Sequence, residues 1–525
     1  MAALGSKRKR FLGVGDDRME VTSLIRSLVE LPLGADGARV HPSPGAAHGS
    51  RLALQTCAGG ADPRCVAFVA SGGGVWRHDV AFAGGEAVAE GKEAMLKPVT
   101  VRGGVTKRVH AVAHRSEIQS LAVHDPESLS VAARGASDRP PSNDVRGDDD
   151  DDGVKNVVWL ASADARGRCL VTPVDRATGA ARPERQLDLR ATESGDPAVP
   201  GWAGAAFDPG AAAAPEDPPA LAVARHWAKT LELFNPGETR PARTMRALLR
   251  PNAVTFVPPN GGFRVRNAAA SPDGKASGVR EKPGFFESPD PGASKQKEDI
   301  AQLAFASAST ALVAMAEGDQ LSVWDPRARG SGCVRRQALC NRSAGLFAAG
   351  ALPFGYRGAD GGGGAVVAGV KVGAPIVLVA GAERGVHAVD AGRGTVVKRW
   401  PAAMKFEITA AAPSYSAGDY AYVAGLDNEL VCGCWARASM AGGFAFRGDS
   451  RWLGVGVAAG IEGRDEEVVA GWCESGHLYA ARVRRTKAET TREEEEGDAP
   501  DAKRAEKATD EEEDEEDEED ERGGW

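Results

Sequence analysis

His110 and His114 stand four residues apart in the stretch HAVAH. On a helix that spacing turns two imidazoles to one side, where they can hold a zinc ion, and the glutamate of an HExxH pattern supplies the base. That glutamate is missing, and the flanking residues have the pattern of strand or loop. Both histidines are therefore expected in structural or rim positions. Cys432 and Cys434, in CGC, are too close for a zinc knuckle and have no second pair, so small packing roles are expected. GVGVAAG (454–460) has the glycines of a dinucleotide loop without the strand–turn–helix context or the downstream acid. Ser450, in GDS, lacks the second glycine of a nucleophile elbow. No histidine has a serine or cysteine partner evident in the sequence. RGD (447–449) and the sequon NRS (341–343) have no secretory context around them. The expectation is no catalytic residue, no metal, no cofactor and no enzymatic activity.

The elements that would position any site are short and repeat. In TALVAMAEGDQLSVWD (310–325) an apolar strand meets a tight polar turn, a second alternating strand and an aspartate. The same order recurs at 65–80, 157–175, 219–235, 375–390, 419–435 and 467–483. Alternation with period two gives each strand an apolar face. Most of the turns hold Gly, Asp or Asn, which accept the positive φ of hairpin turns. A further apolar strand often precedes the hairpin, as at 117–123, 202–209, 253–257, 407–413 and 452–457. Three strands and a variable fourth make a propeller blade. Seven hairpins predict an all-β fold, a single seven-bladed β-propeller with disordered insertions and an acidic C-terminal tail.

Composition agrees with that layout. The chain is 42% hydrophobic and only 6% aromatic, with 65 glycines among 525 residues. Its formal charge of -9 is unevenly placed. Residues 489–521 hold 20 acidic and four basic side chains, so this stretch carries -16 and the remainder about +7. The cysteines show no framework spacing and suit reduced thiols inside a cell. No signal peptide and no membrane span are expected, because no apolar run follows the first basic residues and the longest apolar window holds Lys371 and Pro375.

On these residues the chain resembles the WD40-repeat (transducin-like) superfamily. More closely, it is similar to a group of plant and algal WD40-like proteins through HRSEIQSLAV (114–123), EGDQLSVWDPR (317–327), GLDNELVCGCW (425–435), FRGDSRWLGVG (446–456) and AGWCESGHLYAARV (470–483). The resemblance covers most of 50–483. It departs from the family pattern in having one full Trp-Asp ending and few of the Gly-His pairs that open a blade, although His114 and Asp164 can serve in one blade. It implies a non-enzymatic scaffold that binds proteins through its top face and rim.

The expected organisation is a basic segment with a short helix over 1–34, a propeller over 35–484 and a disordered acidic tail over 485–525. The helix follows from the spacing of Val21, Leu24, Ile25, Leu28 and Leu31, with Asp16 or Asp17 as cap and Pro32 as stop. Insertions are expected near 131–153, 176–200, 259–299 and 355–374. No strand follows Val483, so an N-terminal segment within 35–56 is expected to close the ring and cover the open edge.

Three features suggest partners. Residues 312–327 resemble the box by which some WD40 proteins dock on the adaptor of cullin-RING ubiquitin ligases, with Trp324, Asp325 and Arg327 as candidate docking residues and Arg327 expected to be exposed. Lys7, Arg8, Lys9 and Arg10 form a candidate nuclear import cluster, which implies a nuclear and in part cytoplasmic protein. The acidic run 510–521 suits basic partners such as histones or ribosomal proteins, as an assembly factor would use, and repels nucleic acid. A monomer is expected.

Overall fold

The structure, a computed structural model, describes residues 18–31, 50–55, 63–82, 95–109, 114–126, 156–189, 202–209, 217–258, 312–328, 330–352, 366–367, 370–371, 374–460 and 465–486. All fall within one unit, residues 16–487. The chain opens with β1 (Arg18–Leu28), to which the last blade returns. Blade I is β2 (Leu52–Gln55), β3 (Arg64–Ser71), β4 (Gly74–Ala81) and, after the short strands β5 (Met95–Leu96) and β6 (Val99–Val101), β7 (Val105–Arg108). Blade II is β8 (Ile118–His124), β9 (Val157–Asp164), β10 (Cys169–Asp175) and β11 (Leu187–Leu189). Blade III is β12 (Ala203–Phe207), β13 (Leu221–Arg225), β14 (Thr230–Phe234) and β15 (Arg243–Arg246). Blade IV is β16 (Pro251–Val257), β17 (Leu312–Glu317), β18 (Gln320–Trp324) and β19 (Cys333–Ala338).

Blade V is β20 (Leu346–Ala351), followed across the small β21 (Val366–Val367) and β22 (Val370–Lys371) hairpin by β23 (Ile376–Gly381), β24 (Val386–Asp390) and β25 (Thr395–Trp400). Blade VI is β26 (Ile408–Pro413), β27 (Tyr420–Gly425), β28 (Glu429–Cys434) and β29 (Ala445–Arg447). Blade VII is β30 (Trp452–Ala459), β31 (Glu466–Cys473), β32 (His477–Thr486) and β1. Strands are lettered a to d in this order, and neighbouring a strands touch all the way round the ring. The fold is a seven-bladed β-propeller, the WD40-type architecture.

Each expected hairpin is the b–c pair of one blade. The b strands are buried along their length, as in Val157–Asp164 and Glu466–Cys473, because a neighbouring blade covers each face. This is why they read as nearly continuous apolar runs rather than as alternation. The a strands are rich in Ala and Gly (AGAAF, LFAAGA, ITAAAP) because the blades converge there. A Cβ on Gly454 would stand 2.5 Å from the Leu52 backbone nitrogen, and one on Gly456 would meet Leu54, so these two glycines of GVGVAAG serve close packing of blades VII and I. The apolar clusters lie between blades: Trp324 packs with Trp202, Met245 and Met315 at III–IV, and Trp452, Phe446 and Tyr479 pack at VI–VII.

Buried charges also staple blades together. Arg77 of blade I donates to the Arg176 carbonyl of blade II at 2.8 Å. Arg225 of blade III reaches the Gly167 carbonyl of blade II while paired with Glu232 at 2.9 Å. Glu467 of blade VII accepts from the Ser414 hydroxyl of blade VI at 2.7 Å, from the backbone N–H of Tyr415 at 2.6 Å and of Ser416 at 2.9 Å, and from the Tyr422 hydroxyl. Burial raises the Glu467 carboxyl above its ordinary range despite these donors. Removing one partner of such a group leaves a desolvated charge, which is what makes the staples specific.

Three expectations about the chain are corrected. Residues 18–28 are a strand, not a helix: β1 sits between blades, burying Met19 and Leu24 toward blade VI and Ile25, with Val29 just past its end, toward blade I. With both faces buried and a register shift between Val21 and Ser23, its apolar residues mimic helical spacing. The closing strand is therefore 18–28, while Leu52–Gln55 is strand a of blade I. Within 176–200, a short 3-10 turn and β11 complete blade II, and within 355–374 Val366 and Val367 pair with Lys371 and Val370. The stretches 131–153 and 259–299, Lys7–Arg10 and the acidic run 510–521 lie outside the described residues.

The seam is reinforced. Between strands c and d of blade I, the chain runs out to pair β5 with β29 and β6 with β1, both in parallel. His78 ties β1 to blade I, its ring nitrogens 3.0 Å from the Ser27 hydroxyl and 2.9 Å from that of Thr106. Burial holds His78 neutral, with its pKa lowered to about 4.

Candidate functional site: the top face

Every b–c turn lies at one end of the propeller together with the d–a loops, and this end is the top face. Each of the seven b–c turns has a residue with positive φ: Gly72, Gly167, Lys229, Gly318, Arg384, Asn428 and Gly476. Glycine takes this conformation without cost, whereas a residue with a Cβ such as Lys229 or Arg384 pays roughly 1–2 kcal/mol. The first residue of the turn donates its N–H to the carbonyl just before strand a of the same blade, as Ala165 to Glu117, His226 to Trp202, Gly318 to Arg250, Ala382 to Gly345, Leu426 to Glu407 and Glu474 to Arg451. The start of the next d–a loop donates back to the turn, as Ala247 to Lys229, Leu339 to Asp319, Met404 to Arg384 and Gly448 to Asn428. Among the described d–a loops, those leading into blades IV, V, VI and VII are thus held to the blades by backbone bonds at both ends.

The a–b and c–d connections leave the blades at the opposite end. The a–b loops of blades II to V span 125–156, 208–220, 258–311 and 352–375. Among the described residues, two apolar patches stand on the top face. Trp227 and Leu248 are exposed at the III–IV corner, at 47% and 57%, and Phe406 and Leu426 at the V–VI corner. The Arg250 guanidinium lies 3.8 Å from the Trp227 ring centroid, and the Lys405 ammonium 5.4 Å from that of Phe406. The central channel is narrow, about 190 Å³, and its wall includes Ser50, Ala205, Asn252, Phe347, Thr409 and Val455.

No family model and no curated protein matches the chain.

The docking residues sit at the other end of blade IV. Trp324 is fully buried, its indole N–H donating to the Ser322 hydroxyl at 2.8 Å. Asp325 accepts from the Arg327 backbone N–H at 2.9 Å and from the Arg327 side chain at 2.8 and 3.2 Å. Arg327 is therefore not the exposed side chain expected: 22% of it is accessible and its guanidinium is held against its own turn. Arg243 of blade III locks that turn, donating to the Pro326 carbonyl at 2.8 Å and the Gly330 carbonyl at 2.7 Å. Asp175 and Asp390 cap the same turn in blades II and V, accepting from the N–H groups of Thr178 at 2.8 Å and Gly392 at 2.9 Å.

Other sequence candidates resolve as structure. His110 lies outside the described residues. His114 does have a serine partner: Ser162 Oγ is 2.8 Å from one ring nitrogen, and Asp164 is 3.2 Å from the other. This is the order of a hydrolytic triad, but all three side chains are buried, and their effect is to fasten a d–a loop to strand b. Cys432 and Cys434 are buried, and burial raises both thiols. Arg447 of RGD pairs with Glu429, and Asp449 binds Arg26 and His477. Burial opposes ionisation of Asp449, yet the Ser475 hydrogen bond and the charges of His477 and Arg26 carry its carboxyl below the ordinary range.

The sequence reading passed over Trp227, Leu248 and Arg250. One signal was available: His226–Lys229 reads HWAK, a turn with no Gly, Asp or Asn and with a tryptophan at its tip.

Proposed function

We propose that the protein is a non-enzymatic scaffold that binds other proteins through the top face of its propeller. The observation that carries this reading is the pair of top-face corners, III–IV and V–VI, whose loops are held by backbone bonds at both ends and present exposed Trp227, Leu248, Phe406 and Leu426. A surface ordered before binding loses little further conformational freedom on association, and aromatic side chains beside arginine are the usual anchors of interfaces. The test is to replace Trp227, Leu248, Phe406 and Leu426 together by serine in the full chain. These side chains are exposed, so the melting temperature is expected to hold while the proteins that co-purify with wild type are lost. An unchanged set of co-purifying proteins refutes the reading.

Docking on a cullin-RING ligase adaptor through 312–327 is a second proposal. It rests on residue types, since Asp325 does for its turn what Asp175 and Asp390 do for theirs. Nuclear import through Lys7–Arg10 and engagement of basic proteins by the acidic run belong to the same class of proposal and rest on sequence alone.

A further inference from the structure

We propose that the III–IV corner of the top face is a docking site for an acidic peptide segment of a partner protein, one with an apolar anchor residue between its carboxylates. This rests on the reading of the top face as a protein-binding surface and gives one corner of it a ligand chemistry.

The corner is built from two loops held as one body. Ala247 donates to the Lys229 carbonyl at 2.7 Å, and His226 donates from its backbone to the Trp202 carbonyl at 2.9 Å. His226 Nδ1 donates to the Pro251 carbonyl at 2.8 Å, which fixes the ring tautomer. Leu249 donates to Glu317 at 2.9 Å. Between these anchors Leu248 is left pointing to solvent, with the highest exposure of any large apolar side chain described. Trp227 stands beside it on the turn where Lys229 takes the left-handed φ of 52° that six other blades give to Gly, Asn or Arg. Strain held in an exposed turn by surrounding bonds is a mark of functional loops.

Charge selects the ligand. Lys229, Arg246 and Arg250 are all exposed here. Neither loop, HWAK nor RALLR, contains an acid. Two carboxylates lie in the adjoining b–c turn of blade IV: Glu317 is buried and already receives Leu249 and Arg336, and Asp319 is half-buried, so the cations of the corner outnumber its accessible acids three to one. The V–VI corner has a similar apolar pair, but Glu407, Asp427 and Glu429 flank it. Three cations around Leu248 and Trp227 call for carboxylates on either side of an apolar group. A single-stranded nucleic acid is the less favoured occupant, because Arg250 already covers one face of the indole and leucine offers a base no hydrogen bond.

The test uses the full chain and fluorescence anisotropy of three labelled probes. They are a seven-residue Asp/Glu peptide with a central phenylalanine, the same peptide with alanine at the centre, and a 12-nucleotide uridine oligomer. The first probe is expected to bind wild type at least tenfold more tightly than the other two. Leu248→Ser, and separately Arg246→Glu with Arg250→Glu, should each weaken it at least tenfold with the melting temperature unchanged, while Phe406→Ser leaves it unaltered. No binding of the first probe, equal binding of the alanine peptide, tighter binding of the oligomer, or indifference to the Arg246 and Arg250 changes overturns the proposal. If the probe fails while the four-serine variant still loses its co-purifying proteins, the ligand chemistry is wrong and the top-face reading stands. If both fail, the reading itself falls.

Discussion

Blades II and IV hold the polar parts of one blade pattern in different places. In blade II, His114 from the d–a loop bonds Ser162 on strand b, with Asp164 behind it. Blade IV has no such histidine. At the same register position, five residues before the strand-c aspartate when traced through the pairs Ser162–Leu170 and Glu317–Gln320, it has Glu317. Glu317 takes the backbone N–H of Leu249 directly and so pins the same loop by other means. Strand c differs in the opposite sense. Blade II ends in Val174-Asp175 and blade IV in Trp324-Asp325, and the indole N–H of Trp324 finds its acceptor on its own strand, at Ser322. The fold needs a pinned loop, a filled inter-blade space and a capped turn, and several side chains meet each need. A recurring motif is one solution among several, which is why six of the seven blades here lack the full Trp-Asp ending.

The largest expected effect tests the filled space. Trp324→Ala should cost about 3–5 kcal/mol in urea unfolding, and Val174→Ala about 2 kcal/mol, since less volume is removed. Equal losses would mean that Trp324 does not fill the III–IV interface as described. Next is the loop pin. Glu317→Ala strands the Leu249 N–H and frees Arg336, at roughly 2–3 kcal/mol, whereas Ser162→Ala removes one neutral hydroxyl, at roughly 1–2 kcal/mol. If Ser162→Ala is the more damaging, the two residues are not doing one job. The smallest effect concerns Arg327. Its pairing with Asp325 is partly exposed, so Arg327→Ala should lose less than about 1 kcal/mol. Adaptor co-purification then decides the docking proposal separately from stability: loss with an unchanged melting temperature supports it, and retention removes this box as the contact.

The blades were legible in the sequence because each b–c hairpin is local: an apolar run, a turn residue and a second, alternating strand lie within 20 positions or so. The pair His114 and Asp164 was legible for one blade because both residues sit at recognisable blade positions. What escaped was non-local. β1 read as a helix because its apolar residues answer to two different blades, and no neighbouring sequence reveals that. The exposure of Arg327 was misjudged because its carboxylate lies two residues back and Arg243 closes the turn from another blade. The III–IV corner depends on Trp227 and Arg250, which are brought together only when the blade between them folds.

The seam has a consequence for synthesis. Arg18 pairs with Thr486 and Leu28 with His477, so β1 leaves the ribosome first and meets its partner last. At about 5–20 residues per second, the roughly 450 residues between them take on the order of 20 to 90 s to make. For that interval an apolar strand, and then β6 that pairs with it, wait without a ladder. The antiparallel register that imposes the delay also offers relief. Because Arg18 lies opposite Thr486, a short hairpin turn can join β32 directly to β1, and new ends placed within 32–49 would leave every blade contiguous in translation order. Such a circular permutant should give a larger soluble fraction in a cell-free system without chaperones than the natural order does.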